Sequence, residues 1–147
     1  MTPEKRFNMT GIHSKTFRAR QAMGDIVRGT ALVARDGFSA RYDLDRVRGI
    51  FSRPDHKLNG QSYVGKVLVL DTAKGGVASA WMLNEMTSRG VMPLALVFNS
   101  VNPILVQGAA LAGLPMLAGF DEDITAAIPD GSQVEVDPRG RVLTVLG

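Results

Sequence analysis

The sequence predicts an α/β fold: a mixed sheet, or barrel-like strands, around a central β-α-β-α-β unit that is closed by a C-terminal β-hairpin. Three observations predict it. Residues 67–70, 94–98 and 114–118 are short, continuous apolar runs, as strands buried on both faces require. The two intervening stretches, 77–89 and 104–111, have helical length and are closed by Gly90 and Gly113. Near the end, residues 133–136 and 141–146 flank the turn Asp137-Pro138-Arg139-Gly140, and Ile128-Pro129-Asp130-Gly131-Ser132 turns the chain into the first of them.

Each central element has a local reason. Branched side chains dominate 67–70, and Lys74-Gly75-Gly76 then frees the backbone to turn sharply into a helix beginning near Val77. In 77–89 the apolar residues Val77, Ala80, Trp81, Leu83 and Met86 predict a largely buried helix, with Trp81 packed in the core. Pro93 keeps that helix from resuming, and 94–98 returns as a parallel strand through a right-handed crossover. Asn102 followed by Pro103 predicts an N-cap with proline at the first helical position. Within 114–118, Pro115 must lie where its nitrogen is not needed for the ladder.

Upstream, residues 29–34 read as a short strand and Asp36-Gly37 as a turn. Residues 38–57 carry many charges and little apolar sequence, so they read as a surface excursion of loops and short strands. Asn59-Gly60 turns the chain toward the central strand. Residues 1–16 lack apolar periodicity and read as a flexible basic extension, leaving 17–147 as one domain.

Composition narrows the possible functions. Hydrophobic residues make up 45% of the 147 and charged residues 21%, which suits one domain with its own core. No apolar run approaches the roughly 20 residues that span a bilayer, and the first residues lack the apolar core of a signal peptide, so a cytoplasmic protein with no membrane partner is expected. The net charge is +3, but residues 1–20 alone carry +4, so the body of the chain is close to neutral and gives no expectation of nucleic-acid binding. There is no cysteine, which excludes disulfides and thiol catalysis and leaves an iron-sulfur cluster without thiolate ligands here.

The strand-to-helix turn is the candidate site. Backbone N–H groups at the start of a helix have no intrahelical partner, so Gly75 and Gly76 can offer donors to an anion while Lys74 adds a point charge. Ser79 lies two residues into the helix and is the candidate acid-base group. A helix N-terminus favours its anion by only about 0.3–1 kcal/mol, which cannot make an alkoxide at neutral pH. Lys74 or a group from another chain must assist, or Ser79 serves as a hydrogen-bond donor. In the charged excursion, Asp43 and His56 are the candidate substrate-binding residues, whereas His13 in the extension is not one. No metal ligands are assigned.

From Phe17 onward the order of elements is that of a swivelling β/α domain, and the sequence resembles the small subunit, or swivel domain, of aconitase X dehydratases. The matching stations include Gly29-Thr30-Ala31-Leu32-Val33, His56-Lys57-Leu58-Asn59-Gly60, Gly65-Lys66-Val67-Leu68-Val69 and Gly75-Gly76. They continue through Pro93-Leu94-Ala95-Leu96-Val97, Pro103-Ile104-Leu105-Val106-Gln107-Gly108-Ala109 and Pro129-Asp130-Gly131-Ser132-Gln133-Val134-Glu135-Val136-Asp137.

The resemblance implies a hydro-lyase subunit, inactive alone, whose partner is a large subunit carrying an iron-sulfur cluster; this chain would hold no cofactor. It implies a small hydroxylated acid as substrate, cis-3-hydroxy-L-proline first and mevalonate 5-phosphate second. The family turn carries serines after its glycine where this chain has Gly76, so Ser79 is the nearest hydroxyl. A regulatory subunit that has lost the serine is the non-catalytic alternative. A phosphohistidine swivel domain would need a histidine near Ser79, where this chain has Ala80.

Overall fold

The computed structural model describes residues 15–74 and 76–147. In chain order the elements are β1 (Lys15–Arg18), β2 (Gln21–Met23), β3 (Val27–Val33), β4 (Gly37–Phe38), β5 (Leu44–Asp45), β6 (Ile50–Phe51), β7 (Val67–Ala73), α1 (Val77–Arg89), β8 (Ala95–Ser100), α2 (Pro103–Ala112), β9 (Met116–Ala118), α3 (Ile124–Ala127), β10 (Gln133–Asp137) and β11 (Val142–Val145). The fold is the predicted α/β class with a mixed sheet. Strands pair in the order β1-β11-β10-β3-β7-β8-β9-β2, and β4 adds to the end of β7.

The pairing path curls back on itself. Strands β1 and β2 stand at its opposite ends, yet only Ala19 and Arg20 separate them in sequence. Ala19 N–H donates to the Arg141 carbonyl beside β11, and Arg20 N–H reaches the Ala118 and Gly119 carbonyls at β9. The two edges of the sheet are thereby drawn together, and neither is left as a long open template for another strand.

The centre of the sheet is parallel: β3 pairs with β7, β7 with β8, and β8 with β9. Successive side chains of a strand point to opposite faces. On β7, Val67 and Val69 face inward with Phe17, Val97, Leu117, Val134 and Leu143, while Leu68 and Leu70 face the helices with Leu83, Met86, Leu96, Phe98 and Leu105. Two apolar clusters thus share one strand, which is why it carries no polar residue before Asp71. The terminal hairpin forms between β10 and β11, and β10 crosses to β3 in antiparallel register.

Helix ends follow the sequence cues. Asn102 Oδ1 accepts from Leu105 N–H at 2.9 Å, and Gly90 and Gly113 close α1 and α2 in the left-handed conformation, each at φ 73°. Pro115 ends just before β9, and its carbonyl, not its nitrogen, joins the ladder by accepting from Leu96 N–H.

Several expectations are corrected. Strand β1 includes Lys15 and Thr16, two residues read as extension; the remainder of that extension, including His13, lies outside the described residues. Helix α1 is not largely buried: Ser79, Leu83 and Met86 face inward, whereas Val77 is 64% and Trp81 69% exposed. Trp81 is therefore not a core residue. It lies with Val77, Ala80, Ile104, Gly108 and Leu111 along a shallow apolar groove between α1 and α2.

The stretch 38–57 does consist of loops and the short strands β4, β5 and β6, but it is not merely a surface excursion, because its apolar residues join the core. Phe38, Phe51 and Tyr63 are fully buried, with Phe38 against Phe98 at 5.8 Å and Tyr63 edge-on to Phe51 at 6.1 Å. Burial pushes the Tyr63 hydroxyl up to about 12, and that hydroxyl has no hydrogen-bond partner among the described residues. Strand β2 and helix α3 have no counterpart in the sequence reading.

Helices α1 and α2 meet through a small-residue contact. A Cβ added at Gly108 would lie 2.5 Å from the Ala80 Cβ and 2.7 Å from its Cα. Gly108→Val should lower stability by about 1–3 kcal/mol through overpacking, although valine is the better helix former. Denaturant unfolding followed by circular dichroism measures it.

Candidate functional site

A cavity of about 780 Å³ opens where the chain leaves the carboxyl ends of β3 and β7. Ligands of open parallel sheets collect at such ends, because the loops there diverge and the following helix points its first N–H groups inward. One wall is Asp71, Thr72, Lys74 and the first turn of α1; the other is the segment from Arg35 to Asp43 together with Arg53.

The α1 side brings Lys74, Gly76 and Ser79 to one cavity. Gly75 lies outside the described residues. Gly76 is the N-cap and supplies no side-chain acceptor, so the first N–H groups of α1 are left for a ligand or solvent. Ser79 begins the inward stripe that continues through Leu83 and Met86, spaced four and three residues on. That spacing puts Ser79 at the sheet end of the stripe, 2% exposed, with its residue on the cavity wall.

The opposite wall is held by Arg53. Its Nε donates to Asp43 Oδ1 at 2.7 Å, its Nη1 to Asp55 Oδ1 at 2.6 Å and its Nη2 to Asp36 Oδ1 at 3.0 Å. Donation to the Asp43 and Asp55 carboxylates, together with the charges of Asp43 and Asp36, raises the guanidinium above its already high ordinary value. Its charge is committed to the protein. Asp43 also accepts from Ser39 N–H at 2.9 Å. Its carboxylate therefore braces the loop and orients Arg53 rather than offering itself to an anion.

His56 is not on the cavity wall. Its Nδ1 accepts from Leu58 N–H at 3.0 Å, which leaves Nε2 to donate to the Gly37 carbonyl at 2.8 Å. The residue is 3% exposed and its ring stacks on Phe51 at 4.6 Å. With both nitrogens engaged by backbone, His56 clips the 36–58 segment to β4 and has no atom left for substrate.

Of the charges that remain for a ligand, Lys74 was named from the sequence and Arg41 was passed over. Among the described residues, Arg41 and Lys74 have no carboxylate within ion-pair distance; Arg41 lies over the Tyr42 ring at 5.3 Å. Arg35 reaches Asp123 only at 3.9 Å. The cavity is therefore suited to an anion held by Arg41, Lys74 and the α1 donors. Alternating charges between 35 and 55 were visible in the sequence, but which of them pair and which stay open depends on contacts between residues far apart in the chain, such as Arg46 with Glu85 and Arg35 with Asp123.

Asp36 is a titrating brace of this wall. Burial raises its carboxyl, but donation from the Lys57 and Gly37 N–H groups, with the Arg53 charge, outweighs it and holds the carboxyl below its ordinary 3.8. A depressed folded value means that the ionised form contributes stability above pH 3.8, lost as pH falls through the folded value. Asp36→Asn should therefore cost roughly 1.5 kcal/mol at pH 7 and much less at pH 3. Urea unfolding of both proteins at the two pH values checks this.

Among the described residues no three His, Cys, Asp or Glu side chains are grouped to hold a metal ion, and the sequence has no cysteine. An iron-sulfur cluster does not fit this chain. No helix of the described residues is long and apolar enough to cross a membrane.

A curled mixed sheet with two helices on one face and an anion-ready cavity at its parallel-strand ends defines a swivelling β/α domain. The model of the aconitase X swivel domain matches residues 16–145, and the chain belongs to that family. A phosphomevalonate dehydratase small subunit from Thermococcus sibiricus is 32% identical over 120 residues, covering 82% of this chain and 90% of the relative. Its counterpart from Pyrococcus abyssi is 28% identical over 123 residues, covering 84% and 92%. The crystal structure of Thermococcus kodakaraensis aconitase X in its holo form shares the fold, with a TM-score of 0.83 at 24% identity over 90% of this chain and 99% of that one.

Proposed function

We propose that this chain is the small subunit of an aconitase X-type hydro-lyase, completing the active site of a separate large subunit and dehydrating mevalonate 5-phosphate. The observation that carries the reading is the uncommitted positive charge of the cavity: Arg41 and Lys74 stand beside an uncapped helix N-terminus. A phosphate needs several donors and at least one cation, and this wall offers them. The relatives named phosphomevalonate dehydratase small subunits support the same substrate. Cis-3-hydroxy-L-proline, preferred from the sequence, has no such support, and its single carboxylate leaves part of this positive wall unmatched.

In this reading the large subunit holds the iron-sulfur cluster, because this chain offers it no ligand set. The work of this chain is to bind the substrate anion through Lys74, Arg41 and the first turn of α1, to close the site, and to direct the Ser79 hydroxyl at the substrate. Alone it has no turnover, since the cluster-bearing part of the site belongs to the partner.

Lys74→Ala should raise KM for mevalonate 5-phosphate about tenfold or more with a smaller change in kcat, and Arg41→Ala should do the same. Steady-state kinetics on the reconstituted complex, with each subunit alone as control, tests the proposal. Turnover only on mixing supports it; full activity of the large subunit by itself makes this chain regulatory and overturns the shared site.

A further inference from the structure

We propose that Asp71, rather than Ser79, is the base that this subunit brings to the dehydration. The inference rests on the hydro-lyase reading above and assigns a catalytic residue within it.

Asp71 shares the cavity wall with Lys74 and Ser79. The other two carboxylates that line the cavity, Asp36 and Asp43, stand on the opposite wall and are both bound to Arg53. Asp71 has no cation within ion-pair distance among the described residues. Its one side-chain partner is the Asn99 amide, whose Nδ2 donates to Oδ1 at 3.0 Å. No described group donates to Oδ2, which is left for substrate.

The carboxylate is also held in place. It sits on β7 between paired strands, and its backbone N–H donates to the Asp36 carbonyl at 2.9 Å. Asn99 cannot turn its amide over, because Oδ1 accepts from Ile124 N–H at 2.9 Å while Nδ2 also donates to Asp123 Oδ1 at 2.7 Å. Asp123 is itself fixed, accepting from the Thr125 hydroxyl and backbone N–H, and the hydroxyl, then Asn99, holds its carboxyl below the ordinary range. A chain of hydrogen bonds from α3 through Asn99 therefore aims one carboxylate oxygen and leaves the other open. A site built for catalysis needs such a brace behind the reacting group.

The reaction requires a base that a lone serine does not provide. Asp71 Oδ2 takes the proton from the carbon between the substrate carboxylate and the carbinol carbon. The C–H electron pair becomes the new C=C bond, and the carbinol C–O bond breaks with its pair going to oxygen. The hydroxyl leaves as water after accepting a proton from a general acid of the large subunit. Ser79 then has a hydrogen bond to the substrate to make, with no need of an alkoxide.

The test uses the complex reconstituted from both full-length subunits, with mevalonate 5-phosphate. Asp71→Asn keeps the acceptor for Asn99 and removes only the base. It should lower kcat at least 100-fold with KM within about threefold, and calorimetry should show unchanged substrate binding. Asp71→Glu should recover part of the rate, and Asn99→Ala should lower kcat about tenfold through loss of aim. Ser79→Ala should retain more activity than Asp71→Asn.

Retention of more than a third of the wild-type kcat by Asp71→Asn, or loss of substrate binding in that variant, overturns the role of Asp71 and leaves the hydro-lyase reading standing. A wild-type complex that does not dehydrate mevalonate 5-phosphate overturns both.

Discussion

The structure depends on burying both faces of β7. A strand exposed to water on one side alternates apolar and polar residues, but Val67, Leu68, Val69 and Leu70 are all fully buried. Valine side chains fill the narrow interior of the curled sheet, and the leucines fill the wider space beneath α1 and α2. Both clusters must form for either to hold. The curl follows from this demand: it takes the two-residue link at Ala19 and Arg20 to bring β1 and β2 to the opposite ends of one sheet and enclose the valine face.

The same strand places the chemistry. Where apolar burial ends, at Asp71 and Thr72, the chain emerges into the cavity, and the next few residues become the cationic and hydroxylic wall. The opposite wall stands because Arg53 gathers Asp36, Asp43 and Asp55, and because His56 ties the segment to Gly37. Polar groups with protein partners are braces here. Those without a polar partner among the described residues are the ones available to a ligand, and in this cavity they are Lys74, Arg41, the start of α1 and one oxygen of Asp71.

How much of this was legible depended on the range over which each feature is determined. Runs such as 67–70 and the Asn102-Pro103 pair act on their own neighbours, so the central unit, its parallel order and its caps could be read directly. Trp81 could not be placed, because the side of α1 that meets the sheet is set by Leu83 and Met86 and by the Ala80–Gly108 contact with α2, not by bulk. Short strands such as β2 have too few residues for a period and exist because β9 pairs with them. At the site, Lys74, Gly76 and Ser79 were recognisable from their place after a strand. Asp71, just past the apolar run 67–70, drew no reading of its own, and Arg41 was one charge among many, until folding showed which charges were already spent on one another.

The uncapped start of α1 carries a thermodynamic consequence. In most helices a side chain at the N-cap satisfies one of the first amides permanently, so that end of the helix is finished when the protein folds. Gly76 defers that step, although a Cβ there would meet no atom within 4 Å. On the proposed function the substrate anion is the missing cap, and the last increment of order in α1 arrives with the ligand. Fraying of this first turn and anion affinity are then two readings of one equilibrium: whatever stiffens the turn in the free subunit strengthens binding by lowering the ordering cost, unless the stiffening group occupies the amides itself.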